Sequence, residues 1–214
     1  PTGTESADTL KEYDAYYMAQ SDEKILYLTF DCGYENGNTP AILKALKKHK
    51  VPATFFVVGH FINENEDLIK QMVKEGHNVG NHTFNHSQLT KLGFDEAVEE
   101  INTTNAWITN ISGYIPEYIR PPFGSFTDEL LSETSMSVVM WNVDPLDWKY
   151  KNKDIVTDKI LKNVKNGDII LMHDIFESSV DAAQTVIKEL KKQDYVFVTV
   201  DKMNSNKQII RRDK

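Results

Sequence analysis

"YLTFDCGYENG", Tyr27 to Gly37, decides how the fold is read. An apolar run stops at a carboxylate, Asp31, and the next residue, Cys32, is the one cysteine of the chain before a glycine-rich turn opens. The run starting at Ile25 predicts a strand. The segment beyond the turn, "NTPAILKALKKHK" from Asn38, predicts a helix. Asn38 or Thr39 would cap it, Pro40 suits its first turn, and Ile42, Leu43 and Leu46 share one face.

The same strand-then-helix unit recurs outward from there. Strands are predicted over 53–59, 77–82, 117–120, 137–143, 168–173 and 195–200, and helices over 66–76, 94–111, 127–134, 154–167 and 179–193. With the first strand this makes seven, and such alternation means parallel strands joined by crossover helices. "TFFVV" and "DIIL" are apolar without a polar face, as in strands covered on both sides. A doubly wound open sheet and a (β/α) barrel both fit. Residues 1–23 are polar and patternless and predict an extension or strap, while 204–214 predict a polar tail.

A chain of 214 residues with 40% hydrophobic content suits one domain with a sizeable core. Lys plus Arg at 24 against Asp plus Glu at 32 leaves a net charge of −8, which would repel a phosphate backbone, so nucleic acid is not an expected partner. One cysteine closes no internal disulfide. No apolar run reaches the length of a membrane span. The start, "PTGTESADTL", lacks a basic-then-apolar leader, and a trimmed targeting segment is the expectation.

The residues able to do chemistry fall at the C-terminal ends of the predicted strands: Asp31, then His82 and His86 in "NHTFNH", Arg120 in "RPPFG", Asp144 and Asp147 in "VDPLDW", and His173 in "LMHD". In a parallel α/β layout those ends share one face, where active sites are built. His82 and His86, four apart, can reach one metal if the chain turns between them, and two imidazoles favour zinc or another late divalent ion over magnesium or calcium. Asp31 and Cys32 are the candidates for a third ligand. Against this stand the ordinary readings of a small buried cysteine, a surface arginine and a structural histidine. Five scattered segments converging on one mouth favour a shared site. Arg120, stiffened by two following prolines, is expected to pair with Asp31. His49, His60 and His77 take the structural reading.

In this order "TFDCG", "HTFNH", "RPPFG", "DPLDW" and "LMH" resemble the motifs of the polysaccharide deacetylases, metal-dependent carbohydrate esterases sharing the nodulation-factor deacetylase homology domain. "GYENG", with Tyr34, resembles the branch that deacetylates muramic acid of peptidoglycan on the way to the δ-lactam of spore cortex. The resemblance implies a distorted (β/α) barrel of about seven parallel strands, settling barrel over open sheet, with a catalytic domain over 24–203. It implies Asp31 as general base held by Arg120, and His173 as general acid held by Asp147. His82 and His86 would bind one divalent metal, with zinc expected and cobalt or another transition metal as alternatives. Phe123, where a tyrosine is common, would offer its backbone N–H to the oxyanion. Trp148 and Leu171 would wall the acetyl pocket, with Tyr34 on the substrate side. Cys32 stands where the family has a second, metal-binding aspartate. Thiolate ligation is expected there, the alternative being a water in its place.

The expected activity is therefore hydrolysis of a glycan N-acetyl group by a monomeric, secreted or cell-envelope enzyme acting on peptidoglycan. Two alternatives stand beside it: a carbohydrate-binding member without turnover, and a deacetylase of chitin oligomers or xylan. A phosphoesterase would need more cationic groups than Arg120 alone.

Overall fold

The apolar run becomes a strand of eight residues, all buried, from Ile25 to Cys32. A computed structural model of the chain describes residues 15–16 and 21–204. Its strands are β1 (Ala15–Tyr16), β2 (Ile25–Cys32), β3 (Thr54–Val57), β4 (Asn78–Asn81), β5 (Tyr118–Ile119), β6 (Ser137–Val139), β7 (Ile169–His173) and β8 (Val196–Phe197). The helices are α1 (Asn38–His49), α2 (Gly59–Glu64), α3 (Glu66–Lys74), α4 (Phe94–Ser112), α5 (Asp128–Thr134), α6 (Asp147–Tyr150), α7 (Lys153–Asn163) and α8 (Glu177–Lys192).

All pairings are parallel, in the order β1-β6-β5-β4-β3-β2-β7, with β8 joining the start of β2. The sheet then curls onto itself. Val143, beyond β6, bridges Ile170 of β7, and the Leu171 N–H donates to the Val143 carbonyl at 3.0 Å. A flat doubly wound sheet would leave these edges apart, so the barrel expectation holds.

Strand alternation sorts β2 into two cores. Ile25 and Tyr27 point inward to Phe56, Tyr118, Val139 and Ile169. Leu26, Leu28, Phe30 and Cys32 point outward beneath the helices, into a cluster with Ile42, Leu43, Leu46, Val186 and Leu190. Fully burying each such aliphatic or aromatic side chain is worth about 1.5–3 kcal/mol, and that outer cluster is what clamps α1 and α8 to the sheet.

Several expectations shift. Asn38 and Thr39 lie inside α1 and do not cap it; Gly37, left-handed at φ 83°, is the cap residue. The Glu35 carboxylate accepts from the N–H groups of Gly37 and Thr39, placing negative charge at the positive end of the helix. Ala15–Tyr16 falls within the predicted extension, yet pairs with Val138 and Val139 as an eighth strand. The other residues up to 20, and the tail from 205, lie outside the described residues. The run 137–143 stops being regular after Val139 because the carbonyls of Val139 and Met140 are taken by the Arg120 guanidinium. β8 is short because the chain winds into a 3-10 turn at Val200–Asn204.

Candidate active site

The inward residues of β2 nearest its C-terminus are Thr29 and Asp31, and both meet Arg120. The guanidinium is fully buried and lies 4.4 Å from the centre of the Phe56 ring. Its Nη1 donates to Thr29 Oγ1 and to Asp31 Oδ1, each at 2.8 Å. Nε and Nη2 donate to the carbonyls of Val139 at 3.0 Å and Met140 at 2.9 Å. A buried charge persists only when paired and hydrogen-bonded, and this one is. Burial alone would raise the Asp31 pKa, but the Arg120 charge, His82, His173 and the Arg120 hydrogen bond outweigh it and hold the carboxyl below its usual range.

His82 follows β4. Its Nδ1 lies 2.6 Å from the Arg120 carbonyl, which can only accept, so Nδ1 carries the proton and Nε2 keeps its lone pair. That Nε2 stands 3.6 Å from Asp31 Oδ2, beyond a hydrogen bond. Burial pulls the His82 pKa down to about 4, leaving the ring neutral. Between His82 and His86 the chain loops tightly, with Thr83 and His86 left-handed at φ 64° and 56°. The two rings end 4.9 Å apart, edge to face.

His173 ends β7 as the register partner of Asp31. Its Nδ1 is 2.7 Å from Asp147 Oδ1, and its backbone N–H donates to Asp147 Oδ2 at 2.8 Å. Ser179 Oγ and the Trp148 N–H also donate to this fully buried carboxylate. Burial would lower the His173 pKa; the hydrogen bond and charge of Asp147, with Asp31 and Asp144 behind, win and push it up to about 9.

The remaining expectations divide. Phe123 is exposed and left-handed at φ 60°, its ring 5.3 Å from that of His86. Leu171 is buried in β7, in register with Thr29, and Trp148 is half-exposed beside Asp147. Tyr34 is exposed, its ring 4.4 Å from that of His60. Asp144 accepts from the Leu146 N–H at 2.8 Å and so shapes the turn before α6.

Cys32 is not brought to the histidines. It faces away from Asp31, wholly buried in the outer core with Phe30 and Leu43. Burial first, then the charge of Asp174 and a hydrogen bond to it, push the thiol well above its usual range. The expected third ligand is therefore corrected. Among the described residues no three His, Cys, Asp or Glu side chains gather closely enough to enclose a cation. The residues present fit a late divalent ion through two imidazoles, since His82 is neutral with an unused Nε2 lone pair and the His86 ring lies beside it.

Sequence reading missed the supports. Asn81 donates to the Ile101 carbonyl and to Asn105, and accepts from the Thr83 N–H, fixing the turn that carries both histidines. Glu100 accepts from the Asn85 backbone and side chain. A lone Asn or Glu has no spacing signal, although the Asn directly before His82 was visible.

The sequence pattern of the polysaccharide deacetylases matches residues 19–137. This chain belongs to the polysaccharide deacetylase family. It is 39% identical over 214 residues to the peptidoglycan-N-acetylmuramic acid deacetylase PdaA of Bacillus subtilis, covering 97% of this chain and 81% of PdaA. The PdaA structure, a family 4 carbohydrate esterase, superposes with a TM-score of 0.87 over 95% of this chain and 90% of that one. PdaC of the same organism, named for the same activity, is 44% identical over 87% of this chain. PgdA of Listeria monocytogenes, a peptidoglycan-N-acetylglucosamine deacetylase, is 40% identical over 86%. The chain spans 40% of the length of PdaC and of PgdA.

Proposed function

We propose that this family member hydrolyses N-acetyl groups of peptidoglycan, with muramic acid as the sugar attacked. The carrying observation is the pairing of Asp31 and His173 across β2 and β7, each held in the protonation state its role requires. Ionised Asp31, fixed by Arg120, takes a proton from the attacking water. Charged His173, fixed by Asp147, gives a proton to the departing amine, without which a sugar amide anion would be a poor leaving group. The Phe123 N–H is the donor offered to the oxyanion. Leu171 and Trp148 bound the methyl pocket, and Tyr34 offers a ring to the sugar.

His82 and His86 would hold the divalent cation, zinc or cobalt, which when bound makes water acidic and polarises the carbonyl. All relatives named above act on peptidoglycan, by their names, and this supports an extracytoplasmic setting. No helix among the described residues is long and apolar enough to cross a membrane. The muramic reading rests on PdaA and PdaC and extends to the amine that closes the δ-lactam of spore cortex. One catalytic unit over 24–203, acting as a monomer, completes the reading.

The test is mass analysis of peptidoglycan fragments after incubation with protein and defined metals, beside chito-oligosaccharides. Loss of acetyl from muramic acid supports the proposal; loss only from glucosamine, or only from chitin oligomers, overturns the sugar assigned. A binding protein without turnover draws on the misplaced Cys32, and acetate release with added zinc or cobalt would exclude it.

A further inference from the structure

Asp147 opens α6, and the residues behind it, Trp148 to Lys153, are "WKYKNK". In a chain of net charge −8 this is a local concentration of positive charge at the wall of the site. Lys149 Nζ lies 5.7 Å from the centre of the Tyr150 ring, and Lys159 Nζ, from α7, lies 5.1 Å from the same ring. Lys151 Nζ lies 4.7 Å over Phe176, three residues past His173 and directly before α8. The Lys151 N–H returns to the Asp147 carbonyl at 2.9 Å, so the stretch is tied to the residue that holds the acid.

The charges are not spent internally. Nearby, Lys153 pairs with Asp154 and Lys162 with Asp158; among the described residues no carboxylate lies within ion-pair range of Lys149, Lys151 or Lys159. Two ammonium groups drawn to one tyrosine ring repel each other unless an anion offsets them, and ring faces hold them in place without neutralising them. Trp148 and Tyr150 are exposed beside them, giving flat apolar surface next to cations.

We infer that Lys149, Lys151 and Lys159 form a cationic shelf that binds a carboxylate of the glycan strand while its acetamido group enters the site. This rests on the peptidoglycan reading above and deepens it. Two sources share this chemistry: the lactyl carboxylate of muramic acid without its peptide, and the carboxylates of peptide side chains.

The experiment measures dissociation constants at low salt for peptide-free strands, peptide-bearing strands and strands whose carboxyls have been reduced to alcohols. Charged strands should bind about tenfold more tightly than reduced ones, as expected for a few exposed pairs, and the preference should shrink as salt is added. Lys149→Gln/Lys151→Gln/Lys159→Gln should bring it under about twofold, while the triple Arg variant keeps it. The arm that shows the preference names the source. No preference in the unaltered protein, or one that survives in the Gln variant, overturns the shelf. Acetate release from the same strands is scored separately: charge preference without acetate release sinks the deacetylase reading and leaves the shelf standing.

Discussion

Asp31 and His173 sit opposite each other on adjacent parallel strands, and their surroundings drive their protons apart. Arg120 and its neighbours keep Asp31 ionised against burial, and Asp147 keeps His173 charged against burial. Two titratable groups pushed in opposite directions within one mouth are what acid–base hydrolysis demands. His173→Ala should therefore cut turnover by about 10²–10⁴-fold, the usual contribution of a positioned acid. Metal content, read by elemental analysis, should stay the same, and unchanged turnover would remove His173 from the acid role.

The pH behaviour follows with its sign. The folded pKa of His173 is about 9, above its ordinary value, so the stability it contributes is complete below the unfolded value of roughly 6.5. It is lost as pH rises through about 9. Activity should fall over the same upper range as His173, the proposed acid, loses its proton. Asp147→Asn removes the partner and should move both the alkaline limb of the rate and the alkaline loss of thermal stability to lower pH. A limb that stays in place would assign it to another group.

Arg120 carries structure as well as its proposed part in the chemistry. Arg120→Ala leaves Asp31 buried without its partner and frees the Val139 and Met140 carbonyls; removing one member of a buried pair costs roughly 3–5 kcal/mol. Denaturant unfolding should show that loss. Arg120→Lys keeps the charge but not the planar fork, and should fall short of full rescue.

Cys32→Ser separates packing from ligation. With the thiol in the outer core, the serine variant should keep the metal stoichiometry and affinity of the unaltered protein and lose about 1–3 kcal/mol of stability from a poorly partnered buried hydroxyl. His82→Ala should lose the metal. Weaker metal binding by the serine variant, with folding intact, would restore the thiol as a ligand.

Much of this was legible in the residues. The alternation of apolar runs and amphipathic stretches placed all the main strands, and their ends located Asp31, His82, His86, Arg120, Asp147 and His173. What escaped did so for physical reasons. β2 is buried on both faces, so its sequence hides the period of two that turns Asp31 inward and Cys32 outward. α2 and α6, of six and four residues, are too short to show helical periodicity. The irregular stretch after Val139 is set by Arg120, nineteen residues away, and the hold of Ser179 on Asp147 likewise crosses distant segments.

Gly59 tests how tightly the histidine turn is supported from behind. Its N–H donates to the Phe84 carbonyl at 2.9 Å, and a Cβ built on it would come 2.3 Å from the Phe84 ring. Phe84 lies between His82 and His86, and its ring is already set edge-on to Trp107, 5.3 Å away. Gly59→Ala must therefore push the turn, not just a flexible side chain, at a cost of about 1–3 kcal/mol for overpacking. The expected result is weaker metal binding and lower kcat with a modest fall in Tm, because the two imidazoles separate while the barrel remains. Full metal affinity in that variant would show that the turn absorbs the added methyl without moving His82 or His86.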